Sequence, residues 1–149
     1  MSGIPAQQDV ASILAIHMLK ARYFRYVDGQ DWEALADLFT PDATLHFVNS
    51  QDAPLPLKES IAFIASAVQG ATTIHHGHMP EIELSSPTTA HGIWAMEDRL
   101  YWAPGSASRL GLAQLHGLGY YHEEYAQIAG HWLIRRLKVT RTWQHAIPD

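Results

Sequence analysis

The chain has 149 residues, of which 47% are hydrophobic and 17% are charged, and its formal net charge at pH 7 is −5. This length suffices for one substantial core and predicts a single domain over residues 1–149. The negative charge argues against nucleic acid as a partner, because phosphate binding needs a concentrated positive field. The lack of cysteine excludes disulfides, thiolate catalysis and a cysteine zinc site.

The N-terminal stretch shows no pattern of a targeting segment. Met1–Gln8 has no basic segment followed by an apolar run, and the most apolar stretch, Val10–Leu19, is interrupted by Ser12 and His17. The sequence therefore predicts neither a signal peptide nor a membrane span. A cytoplasmic protein without a membrane partner is the expectation.

Three helices are predicted in the first half of the chain. Apolar residues recur at spacings of three and four over Val10–Asp28, which predicts an amphipathic helix that Asp28-Gly29 ends. Asp31 is the expected N-cap of a second helix, ending at Thr40-Pro41-Asp42. Leu57–Val68 repeats the helical spacing. The expected buried stripe of the first helix is Val10, Leu14, His17, Ala21 and Phe24, broadened by Ile13, Ile16, Leu19, Tyr23 and Val27.

Strand patterns dominate the rest of the chain. Ala43–Val48 is a short strand candidate, and Asn49–Pro56 is a predicted loop because prolines 54 and 56 disrupt regular ladders. The strands predicted later are Thr72–His78, Glu81–Leu84, Thr88–Trp102, Leu110–Ile128 and His131–Trp143. Helices followed by an antiparallel meander predict an α+β fold, in which a curved sheet leaves a hollow on its concave side.

Three of the ten histidines fall close together, at positions 75, 76 and 78. Alternation in a strand places His75 on one face and both His76 and His78 on the other. Gly77 shares the His75 face and should leave room above the imidazole ring for a ligand. His75 is therefore the preferred catalytic candidate.

His76 and His78 could bind a metal as a pair. A catalytic zinc site needs a third protein ligand, however, and the sequence has no HExxH helix to supply the usual geometry. No metal is expected on this ground, and surface or interface histidines are the simpler interpretation.

Asp28 is the second catalytic candidate, although Asp-Gly at a helix end is also ordinary turn chemistry. A carboxylate at a helix C-terminus faces the negative end of the dipole, at a cost of about 0.3 to 1 kcal/mol. An imidazole would be a suitable partner. Tyr23 lies five residues earlier, about 140° around an ideal helix, so it shares a face with Asp28 only at the edges.

Two later segments carry further polar groups. In the strand around residue 121, either face could line a pocket: Tyr121, Glu123 and Tyr125, or Tyr120, His122 and Glu124. The basic residues Arg135, Arg136, Lys138 and Arg141 fall on both faces of the last strand, which favours a solvated or salt-bridged strand.

Several common catalytic signatures are missing from the sequence. It has no G-x-S-x-G elbow, no phosphate-binding GxxxxGK[ST] loop and no Rossmann glycine fingerprint. Serine-nucleophile, phosphoryl-transfer and nicotinamide chemistries therefore lack support, and no organic cofactor is expected.

A set of local motifs spans nearly the whole chain. They are Ala21–Asp28 leading into Asp31–Leu35, Leu38–Ala43, Thr73–His75, Tyr125 and Gly130–Trp132. Together they resemble the SnoaL-like members of the nuclear transport factor 2-like superfamily, in the branch of scytalone dehydratase and bile acid 7α-dehydratase. The resemblance implies a cone-shaped α+β barrel with three N-terminal helices packed on a strongly curved antiparallel sheet.

The resemblance also implies a site. Members of this branch place an Asp at the position of Asp28 and a His at that of His75, in a deep apolar cavity and without metal or cofactor. The bile acid dehydratases have a tyrosine at the position of Tyr23. Homo-oligomers, commonly trimers, are implied as well, with a dimer the other possibility.

The leading hypothesis is a cofactor-independent lyase, a dehydratase acting on a steroid-like, polyketide or other polycyclic small molecule. His75 would remove a C–H proton next to a carbonyl, Asp28 would fix the imidazole tautomer, and Tyr23 would polarise the carbonyl or assist the departing hydroxyl. An isomerase of the ketosteroid type could use the same base. A non-catalytic small-molecule-binding or assembly domain is the alternative from another class, since fold alone does not fix function.

Overall fold

The computed structural model describes residues 6–106 and 108–149, with three helices in these ranges: α1 (Gln7–Asp28), α2 (Trp32–Ala36) and α3 (Leu57–Ala67). The predicted end of the first helix at Asp28 is confirmed. Asp31 caps α2 as predicted, since its carboxylate accepts a hydrogen bond from the backbone N–H of Ala34 at 3.1 Å. No helix within the described ranges is long and apolar enough to cross a membrane.

The six strands among the described residues form one curved sheet. They are β1 (Phe39–Phe47), β2 (Leu55–Pro56), β3 (Ala71–Ser86), β4 (Thr89–Trp102), β5 (Leu112–Ile128) and β6 (His131–Pro148). Their order in the sheet is β2-β1-β6-β5-β4-β3. The predicted antiparallel sheet is confirmed, with one parallel pair: β1 and β6 are parallel and the other pairs are antiparallel.

The structure corrects three predicted boundaries of helices and strands, each because of strand pairing or backbone geometry. The second helix stops at Ala36 because pairing with β6 begins at Phe39, which draws Thr40-Pro41-Asp42 into β1. Leu55 and Pro56 lie in the predicted loop but pair with β1. The two strands predicted on either side of Met79 are one strand, β3, with an irregularity between His78 and Glu81 where Met79 adopts a φ of 36°.

The main core lies between α1 and the inner face of the sheet. The buried stripe of α1 differs from the predicted centre, because Val10 and Leu14 are 53% and 60% exposed. The side chains that pack inward are Ile16, Leu19, Tyr23 and Val27 from α1, and Trp94, Met96, Tyr121 and Tyr125 from the sheet. Burial of each such side chain contributes about 1.5 to 3 kcal/mol. The helices thus cover the concave face of the sheet, as the α+β prediction required.

Candidate active site

A cavity of about 600 Å³ lies between the helices and the inner face of the sheet. Its apolar walls come from every layer of the fold: Val27, Phe47, Phe63, Ile64, Ala67, Val68, Leu100, Leu110, Leu112, Leu115 and Val139. The polar side chains on the same wall are Tyr23, Asn49, Ser50, Ser66, His75, Asp98, Arg109, Tyr121, Arg141 and Gln144. A volume of this size suits a small molecule, and a wall that combines apolar side chains with polar groups is typical of such sites.

The two residues expected to form a pair are in contact. His75 Nδ1 lies 2.7 Å from Asp28 Oδ1, and the backbone N–H of His75 donates to Asp28 Oδ2 at 3.1 Å. Thr73, on the same face of β3, donates its hydroxyl to Asp28 Oδ1 at 2.8 Å. A carboxylate only accepts hydrogen bonds, so Nδ1 of His75 carries the proton. Nε2 is then the nitrogen of the neutral ring with a free lone pair, and His75 borders the cavity.

The surroundings of Asp28 keep its carboxyl group ionised. Burial alone would raise its pKa, but the hydrogen bonds from the side chain and backbone of His75, together with that from Thr73, bring the pKa below its ordinary value of 3.8. These donors also offset the unfavourable position of a negative charge at the C-terminus of α1. The strand thus supplies the partners that the sequence required for Asp28.

Tyr23 borders the same cavity as His75 but does not join the Asp28 contacts. Among the described residues, the hydrogen bonds to Asp28 come from Thr73 and His75. Burial, followed by the negative charges of Glu123, Asp98 and Asp28, raises the pKa of Tyr23 far above its ordinary value. The phenol is therefore a permanent proton-bearing donor at the cavity wall.

Aromatic side chains, rather than the predicted ligand, occupy the space beside Gly77. A Cβ placed on Gly77 would lie 2.8 Å from Phe24 Cζ and 3.1 Å from Trp94 Cε3. Two packed aromatic rings therefore occupy the room that the sequence had suggested for a ligand above His75. Gly77 is needed for helix–sheet packing, and the ligand-sized space lies elsewhere around the imidazole.

An ion pair that the sequence interpretation missed borders the cavity next to His75. Arg141 Nη1 and Nη2 donate to Asp98 Oδ1 and Oδ2 at 2.9 and 2.6 Å, a bidentate contact. Asp98 lies directly opposite His75 in the β3–β4 register. Gly117, opposite Asp98 on β5, makes the pair possible, since a Cβ there would lie 1.7 Å from Arg141 Nη1.

A clue to this pair was present in the alternation of β4. Positions 94, 96, 98 and 100 all face inward, and three of them are apolar. A carboxylate at the remaining one, Asp98, needs a buried cationic partner. The interpretation of the basic strand as solvated or salt-bridged allowed an ion pair for Arg141 but did not identify Asp98 as its partner.

A second buried ion pair lies behind the cavity wall. Lys20, from α1, donates to Glu123, from β5, and both side chains are fully buried. Glu123 also accepts from the Tyr125 hydroxyl, which in turn accepts from Trp94 Nε1 at 2.9 Å. The face Tyr121, Glu123 and Tyr125 is therefore the inward one.

The Lys20 ammonium lies over the two tyrosines that border the cavity. Its Nζ is 3.9 Å from the ring centroid of Tyr23 and 3.5 Å from that of Tyr121. Such cation–π contacts fix the orientation of the rings. The remaining predicted histidines, His76 and His78, point to the outer face of the sheet and take no part in the cavity.

Helices that cover a curved sheet, with a carboxylate–imidazole contact beside a cavity, define an α+β cone with an internal pocket. A family model described as a SnoaL-like domain matches residues 8–138. The chain belongs to this SnoaL-like family, within the nuclear transport factor 2-like superfamily.

Individual proteins resemble the chain over most of its length. A protein from Gibberella zeae named probable cyclase FGR4 is 24% identical, with 86% of this chain and 89% of that protein covered. A candidate scytalone dehydratase from Novosphingobium aromaticivorans has a TM-score of 0.77 and 18% identity, with 95% of each chain covered. A hexachlorocyclohexane dehydrochlorinase from Novosphingobium barchaimii has a TM-score of 0.75 and 17% identity, with 94% of this chain and 92% of that chain covered. At these identities the solved structures establish the fold.

Proposed function

We propose that this protein is a cofactor-independent lyase of the dehydratase type, acting on an apolar polycyclic small molecule of steroid-like or polyketide character. The observation that carries the proposal is the 2.7 Å contact of His75 Nδ1 with Asp28 at the wall of a cavity of about 600 Å³. That contact leaves Nε2 as the basic atom. The family supports a small molecule as the substrate.

The elimination needs a base for carbon and an acid for oxygen. Nε2 of His75 would take a proton from the carbon next to a carbonyl, and Asp28 would stabilise the imidazolium that forms. The hydroxyl on the next carbon would leave with the proton returned by the imidazolium while the Tyr23 phenol donates a hydrogen bond to it, so one water is released and a conjugated double bond remains. Acid–base help of this kind is worth about 10² to 10⁴ in rate.

Arg141 would stabilise the oxygen on which negative charge develops. The guanidinium has five N–H donors, and the bidentate contact with Asp98 uses two of them. The pair borders the cavity directly across the strand register from His75. A donor held in a fixed position stabilises an enolate without reorganisation, which is commonly a large part of catalysis.

The names of similar proteins agree with elimination chemistry. The dehydrochlorinase and the candidate dehydratase are both named for the loss of a small molecule from a substrate. The cyclase name fits a base that generates a carbanion as well. An isomerase would use the same base and return the proton to another carbon without release of water.

The test is a screen of hydroxylated steroids and polycyclic ketones by mass spectrometry, in parallel for the wild type and His75→Ala. We expect a product lighter by one water with the wild type, and a loss of rate of about 10²-fold or more in the variant. His131→Gln, which changes an exposed histidine at the start of β6, should keep full activity. Unchanged turnover in a folded His75→Ala protein would refute the role given to His75.

A product of unchanged mass that gains deuterium from heavy water would favour the isomerase. Binding of a screened compound in the cavity without turnover would favour the non-catalytic alternative. Cytoplasmic location and assembly into a homo-oligomer remain predictions from the sequence; sedimentation of the purified protein tests the second.

A further inference from the structure

The outer face of the sheet carries a cluster of metal-binding side chains, on the opposite side from the cavity. It consists of His76 and His78 of β3 and Glu97 of β4. His76 lies directly opposite Glu97 in the antiparallel register, and His78 lies opposite Ala95, one alternation away. One ligand atom from each of the three residues lies within 4.8 Å of the other two.

We propose that His76, His78 and Glu97 form a binding site for a divalent transition-metal ion of the Zn²⁺ type. The sequence offered two imidazoles without a third protein ligand, and strand pairing brings the carboxylate to them. Two imidazole nitrogens and one carboxylate oxygen are a ligand set that Zn²⁺ accepts, with water in the fourth position. The same ligand set also binds Ni²⁺ and Cu²⁺, which compete with Zn²⁺ for such sites, Cu²⁺ with the highest affinity of the three.

The ligand atoms of His76, His78 and Glu97 need to move together only slightly to bind one ion. Ligand atoms about 2.1 Å from a tetrahedral metal are about 3.4 Å apart. His78 Nε2 already lies 3.9 Å from Glu97 Oε2. The side chains of His76 and His78 are exposed, so rotamer changes that shorten the other separations meet no packing resistance.

The other oxygen of Glu97 is held in place by neighbours. Oε1 accepts from Arg99 Nη2 at 3.0 Å and lies 3.0 Å from His116 Nε2. These contacts orient the carboxylate and leave Oε2 turned toward His78. Side chains that orient a ligand in this way commonly change metal affinity by about 10- to 100-fold.

The position in the fold gives the ion a structural part. β3 is an edge strand, and its ladder with β4 is irregular immediately after His78. An ion bound by His76, His78 and Glu97 would fasten this edge to β4 next to the irregularity. Since His75 points to the other face of β3, the ion would lie outside the cavity, and the site does not depend on the proposed elimination chemistry.

The test is calorimetric titration of chelator-treated, untagged protein with ZnCl₂, with the stoichiometry checked by metal analysis. We expect one Zn²⁺ per chain, and a weakening of at least about tenfold in each of His76→Asn, His78→Asn and Glu97→Gln. Co²⁺ added to the wild type should give visible absorption bands of a nitrogen- and oxygen-bound ion, which His78→Asn should abolish.

His91→Asn is the matched control. His91 lies on the outer face of β4 with Nε2 3.5 Å from Glu83 Oε2, a histidine–carboxylate pair outside the proposed site. Its replacement should leave the Zn²⁺ affinity unchanged. If the wild type binds Zn²⁺ no more tightly than the His76→Asn/His78→Asn double variant, or if His91→Asn weakens binding as much as His78→Asn does, the proposed site is wrong.

Discussion

Replacing Lys20 by Met removes the cationic half of a fully buried ion pair and leaves the Glu123 carboxylate without its counter-charge. Both side chains have no exposed surface, so solvent does not screen the change. Loss of one partner from such a pair costs about 3 to 5 kcal/mol. The ammonium also contacts the rings of Tyr23 and Tyr121, so its removal loosens their packing. Against a total stability of about 5 to 15 kcal/mol, we expect the loss of about a fifth or more.

The assay is urea unfolding followed by tryptophan fluorescence and circular dichroism. Lys20→Met should lower the midpoint with an unchanged slope, which identifies a change in stability rather than in cooperativity. Lys58→Met, at an exposed position of α3, is the matched control and should stay within about 0.5 kcal/mol of the wild type. The Lys20→Met/Glu123→Gln double variant should regain much of the loss, because no uncompensated charge remains.

The same pair predicts a pH dependence with a definite sign. Burial lowers the pKa of Lys20 from 10.5 to about 8, although Glu123 opposes the change. Between these two values the unfolded chain binds the proton more strongly, so the contribution of Lys20 to stability rises with pH across this window and is constant below it. The stability difference between the wild type and Lys20→Met should therefore grow from pH 8 to 10.5. A Lys20→Met protein within about 1 kcal/mol of the wild type would refute the reasoning about the buried pair.

Gly117→Ala should separate Arg141 from Asp98, because the added Cβ would lie 1.7 Å from Arg141 Nη1 and 2.5 Å from Asp98 Oδ1. We expect the free energy of unfolding in urea to fall by about 1 to 3 kcal/mol. The same substitution should cost less stability in a protein that already carries Arg141→Met. Equal losses in both backgrounds would contradict this. Asp28→Asn should flatten the acid limb of the stability curve. The lowered pKa of Asp28 gives stability that is present above its unfolded value of 3.8 and lost as pH falls, so wild type and variant should converge in acid unfolding curves.

The pairing of Asp28 with His75 was predictable because a local cost pointed to it. A carboxylate at the C-terminus of an apolar helix requires donors, and alternation had already separated His75 from its neighbouring histidines. Tyr23 was less predictable. A helical wheel gives only the direction of the Tyr23 side chain around the helix axis. Whether its hydroxyl reaches the cavity depends on the shape of the sheet, which the helix pattern does not contain.

Arg141 shows where alternation along one strand fails. Strict alternation places Arg135 and Arg141 on the same face, but the register of β5 with β6 shifts between Glu124 and Tyr125, leaving Arg135 as an extra residue opposite no partner. Arg135 is exposed as a result, whereas Arg141 points inward to Asp98. A shift of this kind depends on the partner strand, so the pattern of β6 alone could not reveal it.

Long-range register likewise hid the other partners. The parallel pairing of β1 with β6 joins segments far apart in the chain, and it overrode the helical pattern up to Thr40. Glu97 reaches His76 only through the β3–β4 register. Local periodicity predicted the faces of the histidines in β3, while tertiary pairing decided which residues meet across strands.

The charges buried around the cavity bear on the choice between a catalytic and a purely structural role. In a chain with only 17% charged residues, Asp98 and Glu123 are both buried with cationic partners. A well-packed apolar replacement of such a pair is often neutral or stabilising, so packing alone gives no reason to keep it. The Lys20–Glu123 pair supports the rings of Tyr23 and Tyr121, and the Arg141–Asp98 pair reaches the wall beside His75. Their arrangement around one cavity is expected of a site whose polar groups are held in fixed positions for chemistry.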